Sequence, residues 1–194
     1  MKRDNLDFLE KLEYGTLALS IDNIPYSLPI NFVTLNGCIY FHGSKKGRKV
    51  EAIKANSNAS FSAVKAYSII ASYMSSIDGL ACPATQFFKS LIVDGKIEIL
   101  ENLQEKIDVL NALMEKLQSE GGYKDLNDPA YKKAINATNI FKLTPTDAKL
   151  KLKFGQKLSD ERFNMIIKHL EQRGTQEDLE TVKQMDLLRY KGIS

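Results

Sequence analysis

Asn36-Gly37 stands between two segments of strand character, Tyr26 to Leu35 and Cys38 to His42. A two-residue loop of this type joins antiparallel neighbours, because both of its residues accept the positive φ that a tight hairpin demands. Strand patterns recur on either side: Leu17 to Ile21, Ala59 to Tyr67, Leu91 to Leu100 and Asn139 to Leu143, with Lys149 to Phe154 alternating as an extended exit. Pro29 suits only an edge or a bulge, since it has no N–H for a central ladder, and Gly95 marks a bend. Leu6, Leu9 and Leu12 recur at helical spacing before Tyr14-Gly15 closes that helix. A longer stripe, Leu103, Ile107, Leu110, Met114 and Leu117, stops short of Gly121-Gly122. Burying it contributes about 1.5–3 kcal/mol per large side chain, which predicts a helix docked on the sheet. Two charged helices close the chain, Ser159 to Gln172 and Gln176 to Arg189. The expectation is a mainly β fold with α additions, an antiparallel barrel, with one domain over 1–148 and a helical extension over 149–194.

The chain has 194 residues, of which 43% are hydrophobic and 26% charged, enough for a sizeable core. Its longest apolar runs, such as Ser68 to Met74, are too short and polar to span a bilayer, so no membrane partner is expected. Met1-Lys2-Arg3-Asp4 leads into an amphipathic segment and not an uninterrupted apolar one, so no signal peptide is expected. Cys38 and Cys82 form no CxxC pair, so the expected setting is a reducing cytoplasm with neither thiol reactive, and no metal site is expected. A net charge of +3 is too small to imply a nucleic-acid partner.

The segment His42-Gly43-Ser44-Lys45-Lys46-Gly47-Arg48-Lys49 carries the most chemistry. Glycines let backbone amides turn inward, Ser44 adds a hydroxyl, the cations neutralise charge, and a short helix from Val50 to Ala55 begins beside them. Those are the needs of a phosphate dianion. A solvated basic turn fits the composition equally well. No GxxxxGK[ST] and no GxGxxG occurs, so the segment is not a Walker loop and a Rossmann site lacks its signature. Between two strands, Ser68 to Phe88 forms a long aromatic segment of the kind that lines a site or reaches a partner. Leu158, Phe163, Ile166, Ile167 and Leu170 share one helix face, suited to a dimer clasp or a lid.

Taken jointly, Tyr14-Gly15-Thr16-Leu17-Ala18-Leu19, Tyr26-Ser27-Leu28-Pro29-Ile30-Asn31-Phe32, Ile39 to Ser44 with Gly47-Arg48-Lys49, and Phe88 to Lys96 resemble the pyridoxamine 5'-phosphate oxidase-like superfamily. The nitroimidazole-resistance-type branch is the most similar, over roughly residues 10–145. The resemblance implies a split β-barrel that binds FMN at a homodimer interface. It places Ser27, Leu28, Pro29 and Asn31 along the ring or ribityl chain, and His42, Gly43 and Ser44 at the flavin or phosphate edge. Lys49 and Lys46 would neutralise the phosphate, and Lys89 and Ser90 would reach the cofactor from a neighbouring strand. Ser27 stands where the family often has Pro, and Tyr26 where the classical oxidases have Arg. No substrate-phosphate residues match, which argues against pyridoxamine phosphate oxidation itself. The function expected is an FMN-dependent oxidoreductase that uses an electron donor such as NAD(P)H and a small organic acceptor, nitroaromatic or quinone-like. No side chain stands out as a catalytic acid, base or nucleophile. The alternatives are a non-catalytic flavin-storage protein and a haem-binding or haem-degrading one, with His42 or His169 as ligand.

Overall fold

Seven strands form one sheet in the order β2-β1-β5-β6-β7-β4-β3, in a computed structural model that describes residues 3–190. Met1 and Lys2, part of the charged start noted in the sequence, lie outside the described residues. The strands are β1 (Tyr14–Ile21), β2 (Ile24–Asn31), β3 (Val33–Leu35), β4 (Cys38–Ser44), β5 (Asn58–Ile70), β6 (Thr85–Ile99) and β7 (Thr138–Lys153). Pairing is antiparallel for β1–β2, β1–β5, β3–β4 and β4–β7. The α-helices are α1 (Arg3–Glu10), α2 (Arg48–Ala55), α3 (Leu103–Leu117), α4 (Lys132–Ala137), α5 (Asp160–Arg173) and α6 (Gln176–Tyr190). The fold is a split barrel, mainly β with an N-terminal helix, an interposed helix and C-terminal helices, as the sequence led one to expect.

Two hairpins set the register. Asn36 (φ 50°) and Gly37 (φ 78°) both occupy the left-handed region, as a two-residue hairpin loop requires. Asp22 (φ 52°) and Asn23 (φ 63°) do the same between β1 and β2, a turn not singled out in the sequence. Pro29, on β2, pairs with Thr16 of β1, and β2 is an edge of the sheet, where a missing donor costs least.

The segment expected as one strand from Tyr26 to Leu35 breaks at Phe32. Its carbonyl accepts from Lys116 Nζ (2.9 Å), which also bonds the Leu12 carbonyl (2.6 Å), and its ring meets Phe61 edge-on at 4.8 Å. Gly15 lies inside β1, not in a helix cap: a Cβ there would strike the Phe61 ring. Gly95 likewise sits within β6, where a Cβ would strike the Thr144 carbonyl of β7, so close strand approach is what requires it.

The chain divides into two compact units, Met1–Ala63 with Leu91–Lys149, and Val64–Ser90 with Leu150–Ser194. In the first, α3 serves two clusters at once. Val109 and Leu113 pack with Val33, Tyr40 and Ile140, while Ile107 packs with Leu126 and Ile135. Leu103 and Leu117, the ends of the expected stripe, are exposed. Asn102 caps α3 by accepting the Glu105 N–H (2.9 Å). The Glu105 carboxylate accepts from both Tyr40 Oη (3.2 Å) and Lys142 Nζ (3.0 Å). Burial pushes the Tyr40 phenol up to about 12.

In the second unit, Phe163, Ile166 and Leu170 of α5 are buried against Tyr67, Ile70 and Phe87. The apolar helix face therefore fills this unit's own core. The long segment after β5 is also shorter than its sequence suggested. The strands extend to Ile70 and from Thr85, which leaves residues 71–84 with one turn of 3-10 helix, Ser72–Met74.

Candidate functional site

The basic loop joins β4 to α2 in the first unit. β4 is buried from Cys38 to Phe41 and turns exposed at His42, opposite Ile140. The Lys46 N–H donates to Ser44 Oγ (3.2 Å), which fixes the turn. Gly47 then takes φ 108°, a conformation that L side chains rarely adopt, and its carbonyl accepts the first helical bonds from Val50 (2.9 Å) and Glu51 (3.2 Å). The helix N-terminus, with its partial positive charge, thus opens next to the cationic side chains.

Lys49 is placed unlike the other cations of the loop. It is half-buried, while Lys45, Lys46 and Arg48 are exposed. Its Nζ lies over Phe141 (4.8 Å) and Phe41 (5.3 Å), two rings stacked at 4.9 Å across the β4–β7 pairing. A Cβ on Gly43 would collide with that Nζ, so the bare glycine is what lets the ammonium lie across β4. Burial lowers the Lys49 pKa below that of an ordinary lysine. A desolvated ammonium on aromatic faces gains from an anion more than a hydrated one does.

The β2 residues reach the same region indirectly. Sheet order separates β2 from β4, but α2 packs on β1, and the Arg48 guanidinium stacks over Tyr26 of β2 at 4.4 Å. Ser27 and Pro29 are exposed, whereas Leu28 is half-buried, and Asn31 donates to the Glu13 carbonyl (3.1 Å). Register puts Ser27, Ala18 and Ser60 in one row and Pro29, Thr16 and Ser62 in the next, a shelf of small side chains. Lys89 and Ser90 lie half-buried on β6 and belong to the second unit. His169, the other histidine, meets Tyr73 edge-on at 5.5 Å in the second unit. The structure therefore gathers Gly43, Ser44, Lys46 and Lys49 at one loop, with the β2 set linked through Arg48. The Phe41–Phe141 platform was missed in the sequence, because 100 positions separate its halves and only the β4–β7 register joins them.

A split barrel of this topology is the architecture of the flavin-binding oxidase-like class. More particularly, the chain belongs to the pyridoxamine 5'-phosphate oxidase family, whose model matches residues 2–152. No curated protein sequence matches it. Among solved structures, a flavocytochrome from Azotobacter vinelandii is similar at TM-score 0.66 and 18% identity, covering 78% of this chain and 67% of that one. A FAD and haem binding protein from Mycobacterium smegmatis is similar at TM-score 0.63 and 22% identity, covering 78% and 71%. A protein assigned to 5-nitroimidazole antibiotic resistance, from Bacteroides thetaiotaomicron, gives TM-score 0.61 at 18% identity over 77% and 82%. At these identities the likeness is one of fold.

Proposed function

We propose that this chain is an FMN-dependent oxidoreductase of small organic electron acceptors, with the flavin held at a homodimer interface. The observation that carries the reading is the Lys49 ammonium, desolvated on Phe41 and Phe141 across Gly43, beside the α2 N-terminus. That donor set fits one phosphate group, with Lys46 and the backbone around Ser44 completing the cradle. The shelf formed by Ser27, Pro29, Thr16 and Ala18 leaves room for a flat ring, Asn31 continues the same face of β2, and Leu28, whose side chain turns to the other face, is proposed to contribute through its backbone. His42, Lys89 and Ser90 are proposed contacts of the ring edge. When bound, the flavin supplies the hydride or electron transfer, while the protein orients it and excludes water.

A single cradle without a dinucleotide fingerprint supports FMN. The FAD reading draws on the M. smegmatis protein named above, and mass analysis of heat-released cofactor separates the two. Residues 1–148 would be the flavin domain and 149–194 its extension. Free thiols at both Cys38 and Cys82 support a reducing, cytoplasmic setting.

Anaerobic stopped-flow mixing tests turnover. NADH or NADPH is expected to bleach the bound flavin, and a nitroaromatic or quinone to restore it. A flavin reduced by dithionite but by neither nucleotide over minutes would overturn nicotinamide-driven turnover and favour a flavin-carrier role.

A further inference from the structure

We propose that the second unit carries a separate binding site for an organic monoanion with an apolar body, of the medium-chain carboxylate class. A cavity of about 810 Å³ opens within this unit and shares no residue with the loop cradle. Its size falls in the range of small-molecule sites. Ile70, Phe87, Ile166 and Leu188, all buried in the unit's core, form its floor. Lys151, Lys153, Lys157, Arg162 and Arg189 line it as well, and among the described lining residues there is no carboxylate.

Three of these cations are held in place by the protein. Arg162 Nε donates to the Ser75 carbonyl (3.0 Å), and Arg189 donates to the Leu158 carbonyl (3.1 Å) while stacking on Phe163 at 4.3 Å. Arg189 also pairs with Asp160, which lies outside the lining and is itself exposed. Lys153 donates to Thr85 Oγ1. Lys151 and Lys157 remain exposed at the rim.

An apolar floor below a cationic rim stabilises a ligand built the same way, a hydrocarbon body ending in one negative charge. A nucleotide fits less well, because the one side-chain amide in the described lining that would recognise a sugar is occupied. Gln156 accepts the Phe154 N–H (2.9 Å) and donates to the Leu152 carbonyl (2.9 Å), so both ends of its amide are used.

Isothermal titration of the full chain, with and without FMN, tests this directly. Dodecanoate, kept below its micelle-forming concentration, is expected to bind saturably at one per chain. Dodecan-1-ol, with the same body and no charge, is expected to bind at least about tenfold more weakly, the loss of one charge-assisted contact. The paired reversal Lys151→Glu and Lys157→Glu touches exposed side chains only. It is expected to weaken dodecanoate at least about tenfold while leaving dodecan-1-ol unchanged. Absence of saturable dodecanoate binding overturns the proposal, as does equal affinity for acid and alcohol in the unmodified chain. Release of one FMN per dodecanoate bound also overturns it, since the cavity would then belong to the flavin.

Discussion

Arg173 grips the carboxylate of Asp178 with two nitrogens, Nε to Oδ2 at 2.8 Å and Nη2 to Oδ1 at 2.5 Å. The carboxylate is wholly buried, and it also accepts from Ser68 Oγ (2.6 Å) on β5 and from the Thr175 N–H (3.2 Å). Thr175 returns a bond through its hydroxyl, which accepts the Asp178 N–H (3.1 Å) and completes a capping box for α6. One aspartate thus ties the α5–α6 corner to the sheet.

The guanidinium of Arg173 outweighs burial and, with Ser68 and Thr175, holds the Asp178 carboxyl well below the usual carboxylate range. A depressed folded pKa adds stability above the unfolded value of about 3.9 and loses it as pH falls below that value. The melting-temperature gap between the unmodified chain and Asp178→Asn is therefore expected to be constant from pH 7 to about 5 and to narrow below about 4. A gap that holds to pH 3 contradicts this. Arg173→Leu should cost about 2 kcal/mol, less than breaking a wholly buried pair, because Arg173 is partly in water.

Lys49→Gln is expected to weaken FMN binding about 10- to 100-fold, and Lys49→Glu to weaken it further. Because burial lowers this lysine's pKa, affinity should decline with rising pH before an ordinary lysine titrates. Quenching of FMN fluorescence measures both effects, and undiminished affinity in Lys49→Glu would remove the residue from the site.

Glycine substitutions should separate site from scaffold. Gly43→Ala displaces only the flexible end of Lys49, so FMN affinity should drop while the melting temperature barely moves. Gly95→Ala meets the Thr144 backbone, which cannot step aside, and should destabilise the fold by about 1–3 kcal/mol. Equal losses of stability in thermal melts would undo the distinction.

With FMN at saturation, light scattering at micromolar protein is expected to give twice the chain mass of 21.8 kDa. A single-chain mass would exclude a flavin shared across a dimer.

Local chemistry made much of this fold legible. Asn36-Gly37 announced its hairpin, Pro29 its edge, and the C-terminal helices fall within a residue or two of their expected bounds. Phe32 did not announce a break, because the cause is Lys116, 84 positions away. Gly15 read as a helix cap, since nothing local reveals the Phe61 ring above it. The site divides in the same manner. Glycines and cations of the basic loop stand together in the chain, whereas the burial that singles out Lys49 arises only when β7 brings Phe141 beside Phe41. Ser68 and Asp178, 110 positions apart, carried no sequence signal at all.

Both borders of the sheet are blunt. β2 carries Pro25 and Pro29, two positions with no N–H to offer an incoming strand, and β3 at the far border is three residues long. A second chain can gain little by adding a strand to either border. That protects the sheet from open-ended growth, strand by strand, into fibres.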